Sequence, residues 1–110
     1  MSHRILQIND LVREIIGEVL VRGVNFKVGI LVTITKVDTS ADIRHSRISI
    51  SAFPEKELPY VLKTLEHEKR TIQKSLHRKL HMKPLPMISF QPDSTEQNAD
   101  IIERLLLELK

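Results

Sequence analysis

The sequence contains no cysteine and no tryptophan, and only four of its 110 residues are aromatic. The absence of cysteine excludes disulfide frameworks, thiolate metal sites and thiol nucleophiles, and it fits a reducing compartment. No apolar run approaches the length of about 20 residues that a membrane-spanning helix needs. The first four residues also lack the basic start and the apolar run of a signal peptide. We therefore expect a cytoplasmic protein that does not enter a membrane.

The charge balance is nearly even, with 17 Lys and Arg against 14 Asp and Glu and a net charge of +3. A chain of this length can bury a core without the support of a metal or a disulfide. We expect residues 1–110 to fold as a single domain that binds no cofactor and remains a monomer. Because this net charge suits almost any partner, the distribution of the charges is more informative than their sum.

Apolar residues at three-four spacing predict three helical segments. The first begins at Ile5 and ends at Gly23, and the last follows a capping box that starts at Ser94. Between them a longer helix starts near Pro59 and ends by about Met82, because two prolines follow. The chain therefore contains one helix near each end and a long helical region in its middle.

The apolar side of the middle helix is interrupted. Between Leu65 and Ile72 the positions that should be apolar are Glu68 and Lys69. A straight amphipathic helix would lose its contact with the core there. We therefore expect a kink or a break into two helices at this point.

Three segments alternate between apolar and polar residues as strands do, at residues 30–37, 44–52 and 87–91. Ile34 and Ile50 are predicted to face the helices, whereas the opposite face of the sheet should contact water. The resulting order is helix, strand, strand, helix, helix, strand, helix. This order predicts an α+β fold with the helices packed on one face of a three-stranded sheet.

The middle helix and the loop after it carry cations without a carboxylate. Six basic residues fall between positions 69 and 83, namely Lys69, Arg70, Lys74, Arg78, Lys79 and Lys83. Solvated helix faces normally mix charges of both signs, whereas the neutralisation of phosphates uses uncompensated cations. These six residues are therefore candidate RNA-binding residues, and an ordinary solvated face is the alternative.

A smaller basic group begins the second strand. Arg44 and Arg47 are further candidates for RNA contact, although a wet strand face explains them equally well. The few aromatic residues are scattered, so base stacking is not indicated. His77 and His81 have the spacing of metal ligands on a helix, but no third ligand accompanies them, and we predict no metal site. No nucleophile and base are placed together by the sequence, so we predict no enzymatic activity.

Two blocks of the sequence resemble the signature of the ribosome-binding factor A family. The first block has a Thr-Ile-Thr strand, an acidic residue, a Ser-x-Asp turn and a second strand, at Thr33, Ile34, Thr35, Asp38, Ser40, Asp42, Ile48 and Ser51. The second has a basic residue, a proline, a short apolar strand and an aspartate, at Lys83, Pro86, Ile88, Phe90 and Asp93. Together the blocks extend the resemblance over nearly the whole chain.

The resemblance implies a fold similar to type II KH domains, in the order α-β-β-α-(kink)-α-β-α. KH domains commonly hold nucleic acid with a Gly-x-x-Gly loop between two helices, which this sequence lacks. The family has an Ala-x-Gly kink in place of that loop, and its position here is Glu68-Lys69-Arg70. Neither small residue of the kink is present.

The resemblance also implies a function. It implies an assembly factor that binds the free, immature small ribosomal subunit and its precursor rRNA, near the terminal helix and the decoding region. Such a factor promotes maturation of the subunit, including processing of the rRNA 5′ end. The alternative is a protein–protein interaction domain without RNA contact, which Leu107, off the apolar side of the last helix, favours. A small hydrolase is a further alternative, disfavoured by the missing nucleophile and base.

Overall fold

The structure is a computed structural model that describes residues 3–93. Its elements, in chain order, are helix α1 (His3–Gly23), strands β1 (Leu31–Thr39) and β2 (His45–Phe53), a short 3-10 turn (Glu55–Glu57), helix α2 (Leu58–Lys79) and strand β3 (Met87–Pro92). The predicted order is therefore confirmed up to the third strand, except that one helix takes the place of the two expected in the middle of the chain. The predicted last helix with its capping box at Ser94, and Leu107, lie outside the described residues.

The sheet has the order β1-β2-β3, so β2 is its central strand. β1 pairs antiparallel with β2 across the short turn between them, and Ile34 lies opposite Ile50. β3 pairs parallel with β2, so the chain must return along the sheet through α2 before β3 begins. This arrangement places both described helices on one face of the sheet.

The core lies between that face of the sheet and the two helices. Ile48 and Ile50 of β2 are fully buried against residues of α1 and α2 such as Val12, Leu65 and Leu76. Ile34 is also buried, so the predicted orientation of both test positions, Ile34 and Ile50, is confirmed. None of the helices in the described part of the chain is long and apolar enough to cross a membrane.

Of the two alternatives predicted for the middle helix, a kink or a break into two helices, the break is wrong. α2 continues without interruption from Leu58 to Lys79 and passes through residues 68–70. Leu65 and Ile72 are seven residues apart, or about two helical turns, so both stay on the buried side. Glu68 and Lys69 between them are half-buried, since their long aliphatic stems can cover apolar surface while the charged ends reach water. The polar gap is therefore accommodated within a single helix.

The open face of the sheet, which is the face away from the helices, is only partly exposed to solvent. His45 and Arg47 on this face are exposed as predicted, whereas Ser49 is buried. Ser49 lies on the central strand, where Gln91 donates to its hydroxyl at 3.2 Å and Thr35 donates to its carbonyl oxygen at 3.3 Å. Polar side chains from both neighbouring strands therefore cover the middle of this face.

β1 contains an irregularity that the alternating pattern did not predict. Its register with β2 shifts between Ile34 and Lys36, so Val37 rather than Lys36 turns into the core. Arg13 of α1 donates to the carbonyl oxygen of Ile34 at 2.9 Å, directly before the shift. This contact fixes α1 against the bulged part of β1.

Candidate nucleic-acid interface

The exposed side of α2 carries the main cluster of basic side chains. Lys63, Arg70, Lys74 and Arg78 are all exposed and lie within one sector of the helix, opposite the buried Leu65 and Ile72 side. We call these four residues the basic face. Lys63 and Arg78 are fifteen positions apart, which corresponds to roughly 22 Å along the helix axis. A straight array of this length can meet several consecutive backbone phosphates.

No ion pair neutralises the basic face within the described residues. The six ion pairs found among residues 3–93 involve none of its four cations. His67 and His77 are exposed among these cations. Uncompensated cations of this kind can displace the counterions of a phosphate backbone. The predicted residues Arg70, Lys74 and Arg78 are thus brought together in a chemically suitable arrangement.

Two of the predicted RNA-binding residues on α2, Lys69 and Lys79, do not lie on the basic face. Lys69 is half-buried, and its ammonium lies 3.9 Å from the carboxylate of Glu66. Lys79 reaches across to α1, where its ammonium lies 3.7 Å from the carboxylate of Glu18. Their charges are partly compensated, and neither side chain lies on the basic face.

The loop after α2 continues the interface at one end of the molecule. The helix ends at Lys79, so His81 and Lys83 lie in residues 80–86 and not on the helix. Both side chains are exposed. The backbone N–H of Met87, just after this loop, donates to the carbonyl oxygen of Arg44 at 2.9 Å. Lys83, Arg44 and the last turn of α2 are therefore near the same end of the fold.

Arg44 and Arg47 both have acidic neighbours. The Arg47 guanidinium lies 3.4 Å from Asp38 on the adjacent strand, and the Arg44 guanidinium lies 4.0 Å from Asp42. Arg47 belongs to the open face of the sheet, whereas the basic face of α2 points away from the other side of the sheet. Arg47 and the basic face therefore do not lie on one flat surface.

The Ser-x-Asp turn of the sequence signature has a local structural role. The Ser40 hydroxyl donates to the Asp42 carboxylate at 2.6 Å, and the Arg44 backbone N–H donates to the same oxygen at 3.1 Å. These two hydrogen bonds, the Ser40 bond first, lower the pKa of Asp42 below its usual value. The Ser40 hydroxyl also accepts a bond from the His45 N–H at 3.1 Å, so Ser40 connects both sides of the turn.

Ile43 at the end of this turn has a φ of 61°. This left-handed conformation is uncommon for a β-branched residue. Its side chain is half-buried and packs against the core cluster. The hydrogen bonds of Ser40 and Asp42, together with this packing, offset the unfavourable backbone conformation.

Two residues in or next to the candidate interface were not predicted from the sequence. Lys63 lies on the basic face two turns before Arg70, and helical periodicity extended toward the start of α2 would have found it. Gln73 is a buried amide beside Ile72 and Leu76. Its side chain bonds to the backbone of Pro86, just before β3, and of Ile88, at the start of β3. A polar residue within the apolar sector of a helix was its only sequence signal.

Other polar side chains of α2 form hydrogen bonds within the helix. The amide nitrogen of Gln73 contacts a ring nitrogen of His77 at 2.9 Å. The Ser75 hydroxyl donates to the Thr71 carbonyl oxygen at 3.3 Å. Among residues 3–93, no group of three His, Asp or Glu side chains is placed to hold a metal ion.

The fold and the face together define a class of protein: a small α+β domain of KH-like order whose long central helix presents unpaired cations. The comparisons with known proteins identify the family within this class. The family model for ribosome-binding factor A matches residues 4–106, and the chain belongs to this family.

Several relatives are similar over almost their whole length. Ribosome-binding factor A of Prochlorococcus marinus is 34% identical over 116 residues, which cover 99% of this chain and 94% of the relative. Ribosome-binding factor A of Dictyoglomus thermophilum is 32% identical and covers 99% of this chain and 92% of its own. The family assignment therefore applies to the whole chain and not to one motif.

Solved structures show the same fold. The crystal structure of ribosome-binding factor A from Thermus thermophilus is similar with a TM-score of 0.64 and 24% identity, covering 80% of this chain and 94% of that one. A homology model of the Thermus thermophilus protein, fitted into the cryo-EM map of its complex with the 30S subunit, has a TM-score of 0.62 at 24% identity. It covers 86% of this chain and 97% of the fitted chain.

Proposed function

We propose that this protein is a non-enzymatic assembly factor of the small ribosomal subunit. It binds the free, immature subunit through precursor rRNA, near the terminal helix and the decoding region. The observation that carries the proposal is the basic face of α2, four exposed cations without an ion-pair partner among residues 3–93, on a fold of the ribosome-binding factor A family. Membership of that family supports the choice of target, and the cations support phosphate contact as its chemistry.

The primary contacts are Lys63, Arg70, Lys74 and Arg78, with Lys83 at the end of the face. Each of these cations can replace a condensed counterion on the phosphate backbone, which favours binding and makes it dependent on salt. The cations that have acidic neighbours are secondary contacts, because RNA must compete with those neighbours; they are Lys69, Lys79, Arg44 and Arg47.

Binding alone is sufficient for an assembly function. A protein with higher affinity for the immature rRNA conformation stabilises that conformation by its differential affinity, and it dissociates when the mature one forms. Processing of the rRNA 5′ end is promoted because the bound state holds the precursor in the form that the processing enzymes act on. The protein acts in the cytoplasm as a monomer.

The proposal is tested by sedimenting the tagged full-length protein through a gradient that separates free small subunits from complete ribosomes. Comigration with free small subunits alone is the expected result. Migration at the top of the gradient, or with complete ribosomes in equal measure, would contradict the proposal. Comigration that persists at high salt would instead favour the alternative, a protein–protein interaction domain, since apolar docking does not weaken with salt as phosphate binding does.

A further inference from the structure

A groove lies between the second half of α1 and the outer edge of β1, and no residue of the basic face lines it. It has a volume of about 560 Å³, and its apolar walls include Leu20, Val24, Ile30 and Val32. The apolar side chains Val21, Val28 and Leu31 at its rim are 84%, 103% and 65% exposed. The groove is therefore a surface of mixed polar and apolar character, with an apolar rim, that no part of residues 3–93 covers.

Gly17 forms part of the groove, in the middle of α1. Glycine is the least favourable residue in a helix interior apart from proline, so its presence there calls for a reason. A Cβ atom at Gly17 would have no heavy atom within 4 Å, so packing within the described fold does not require glycine. Glycine at this position leaves the groove open to close approach by another chain.

At the edge of β1 beside the groove, some backbone N–H and C=O groups have no hydrogen-bond partner among residues 3–93. The Ile34 carbonyl oxygen accepts from Arg13, and the carbonyl oxygen of the opposed Ile50 accepts from the N–H of Asp93 at 3.0 Å. Ile34 and Ile50 are therefore a pair that is not bonded across the strands. Such pairs alternate along an antiparallel ladder, so Val32 also directs its N–H and C=O away from β2. The Val32 N–H and C=O and the Ile34 N–H can bond an added strand.

The charged residues that line the groove are both cations. They are Arg13 and Lys27, and no carboxylate is among the lining residues. The Lys27 ammonium already lies 3.0 Å from Glu57. Arg13 is exposed and, among residues 3–93, gives a single hydrogen bond, to Ile34, so its remaining donors can meet a carboxylate of a ligand.

We propose that this groove binds an extended, acidic segment of a protein partner, which adds a strand to the free edge of β1. The added backbone bonds to Val32 and Ile34, and alternate apolar side chains of the segment enter the groove beside Gly17. An acidic side chain of the segment pairs with Arg13. Because α2 packs over β3 at the other edge of the sheet, RNA and this partner can bind at the same time.

The test is an NMR titration of the ¹⁵N-labelled full chain with the peptide acetyl-Glu-Val-Thr-Val-Glu-amide. We expect saturable shifts of the amide signals of Gly17, Val21, Val32 and Ile34. The peptide with Lys in place of both Glu residues should bind at least about tenfold more weakly, because its charges meet the cations of the groove. The absence of saturable shifts, or equal binding of both peptides, would overturn the proposal.

Two variants make the test specific. Gly17→Leu fills the groove and should weaken peptide binding at least about tenfold, since the added side chain occupies the position of the ligand. The fold should tolerate this change, because the added Cβ meets open space. Gln7→Leu, an exposed position on the same helix outside the groove, is the matched control and should bind normally. Equal binding by Gly17→Leu would overturn the proposal.

Other occupants have distinct signatures. Val21→Glu should weaken binding of the acidic peptide and Val21→Lys should not, a contrast that nonspecific apolar binding would not produce. If a uridine decamer shifts the amide signals of the groove, the proposal is overturned in favour of RNA as the occupant. If nuclear Overhauser contacts join Val21 to residues 94–110 in the free chain, it is overturned in favour of the chain's own C-terminal segment. Gly17→Leu should still comigrate with small subunits, so this proposal and the proposed function can fail independently.

Discussion

The backbone N–H of Ile88 donates to the side-chain oxygen of Gln73 at 2.8 Å, which joins the middle of α2 to the start of β3. The amide nitrogen of Gln73 donates to the Pro86 carbonyl oxygen at 2.9 Å. Gln73 is buried, and both of its backbone partners are shielded from water. These bonds hold the loop that carries Lys83 in a fixed position beside the basic face.

Gln73→Leu should destabilise the fold, although leucine is apolar and similar in size. The substitution leaves the Ile88 N–H and the Pro86 carbonyl oxygen without partners, at a cost of about 2–4 kcal/mol in the free energy of unfolding. Chemical denaturation measures this loss. Thr71→Leu, on the exposed side of the same helix, is the control and should unfold at nearly the wild-type denaturant concentration. A wild-type midpoint for Gln73→Leu would show that these bonds contribute nothing.

The Ser40–Asp42 turn predicts a pH dependence of stability. The folded state lowers the pKa of Asp42 below its ordinary value of 3.8, chiefly through the Ser40 hydroxyl. The ionised carboxylate therefore stabilises the fold above the unfolded pKa, and this contribution is lost as the pH falls through the folded pKa. Asp42→Asn should melt below wild type at neutral pH, and the difference should shrink under acid conditions.

Ser40→Ala is the second variant for this prediction. It removes the largest cause of the lowered pKa while leaving the carboxylate in place. Its deficit in melting temperature should shrink with acid in the same way. A deficit that is the same at neutral and at acid pH in both variants would mean that the turn is stabilised by neutral hydrogen bonds alone.

The assignment of the two sheet faces predicts that similar truncations destabilise the fold by very different amounts. Ile50→Ala creates a cavity in the core and should cost roughly 2–4 kcal/mol of unfolding free energy. Ile34→Ala should cost a comparable amount. Leu31→Ala removes a side chain that is largely exposed and should have an effect within about 0.5 kcal/mol. Equal losses in all three variants would contradict the assignment of faces.

Much of this fold could be predicted from the sequence because its strands follow a simple rule. Ile34, Ile48 and Ile50 alternate with polar residues, and period-two alternation determines which face is buried. The break predicted at Glu68 and Lys69 was wrong, because periodicity records which residues are apolar and not how far long stems can cover a gap. The bulge after Ile34 was not predicted from the sequence, and the Arg13 contact beside it comes from another element.

The candidate site was predicted less completely than the fold. Counting charges identified Arg70, Lys74 and Arg78, but charge counting does not say which cations have acidic neighbours in space. The partner of Lys79 is Glu18 on α1, sixty-one positions away in the sequence, and only the packing of the helices brings them together. Local sequence therefore predicts where cations are and not which of them are unpaired.

Binding to small-subunit precursor rRNA should weaken steeply as salt rises. If about four to six cations neutralise phosphates, the slope of log affinity against log salt concentration should be roughly −3 to −5. Fluorescence anisotropy with a labelled fragment of the precursor measures this slope. A flat salt response would remove phosphate contact from the account.

The most direct test of the account is the replacement of Arg70, Lys74 and Arg78 together by Glu. These side chains point to solvent and have no acidic partner among the described residues, so circular dichroism and melting should change little. The matched control replaces Arg4, Lys36 and Lys56 by Glu, three exposed cations away from the basic face, so both variants have the same net charge.

The measurement is the comigration of each variant with free small subunits in the same gradient. We expect that the variant of the basic face no longer comigrates with free small subunits, whereas the control variant retains most of its binding. Reversal of three charges removes three attractions to phosphate and adds three repulsions at the same contact. If the basic-face variant still comigrates with small subunits while the control does not, the RNA interface is not the outer face of α2.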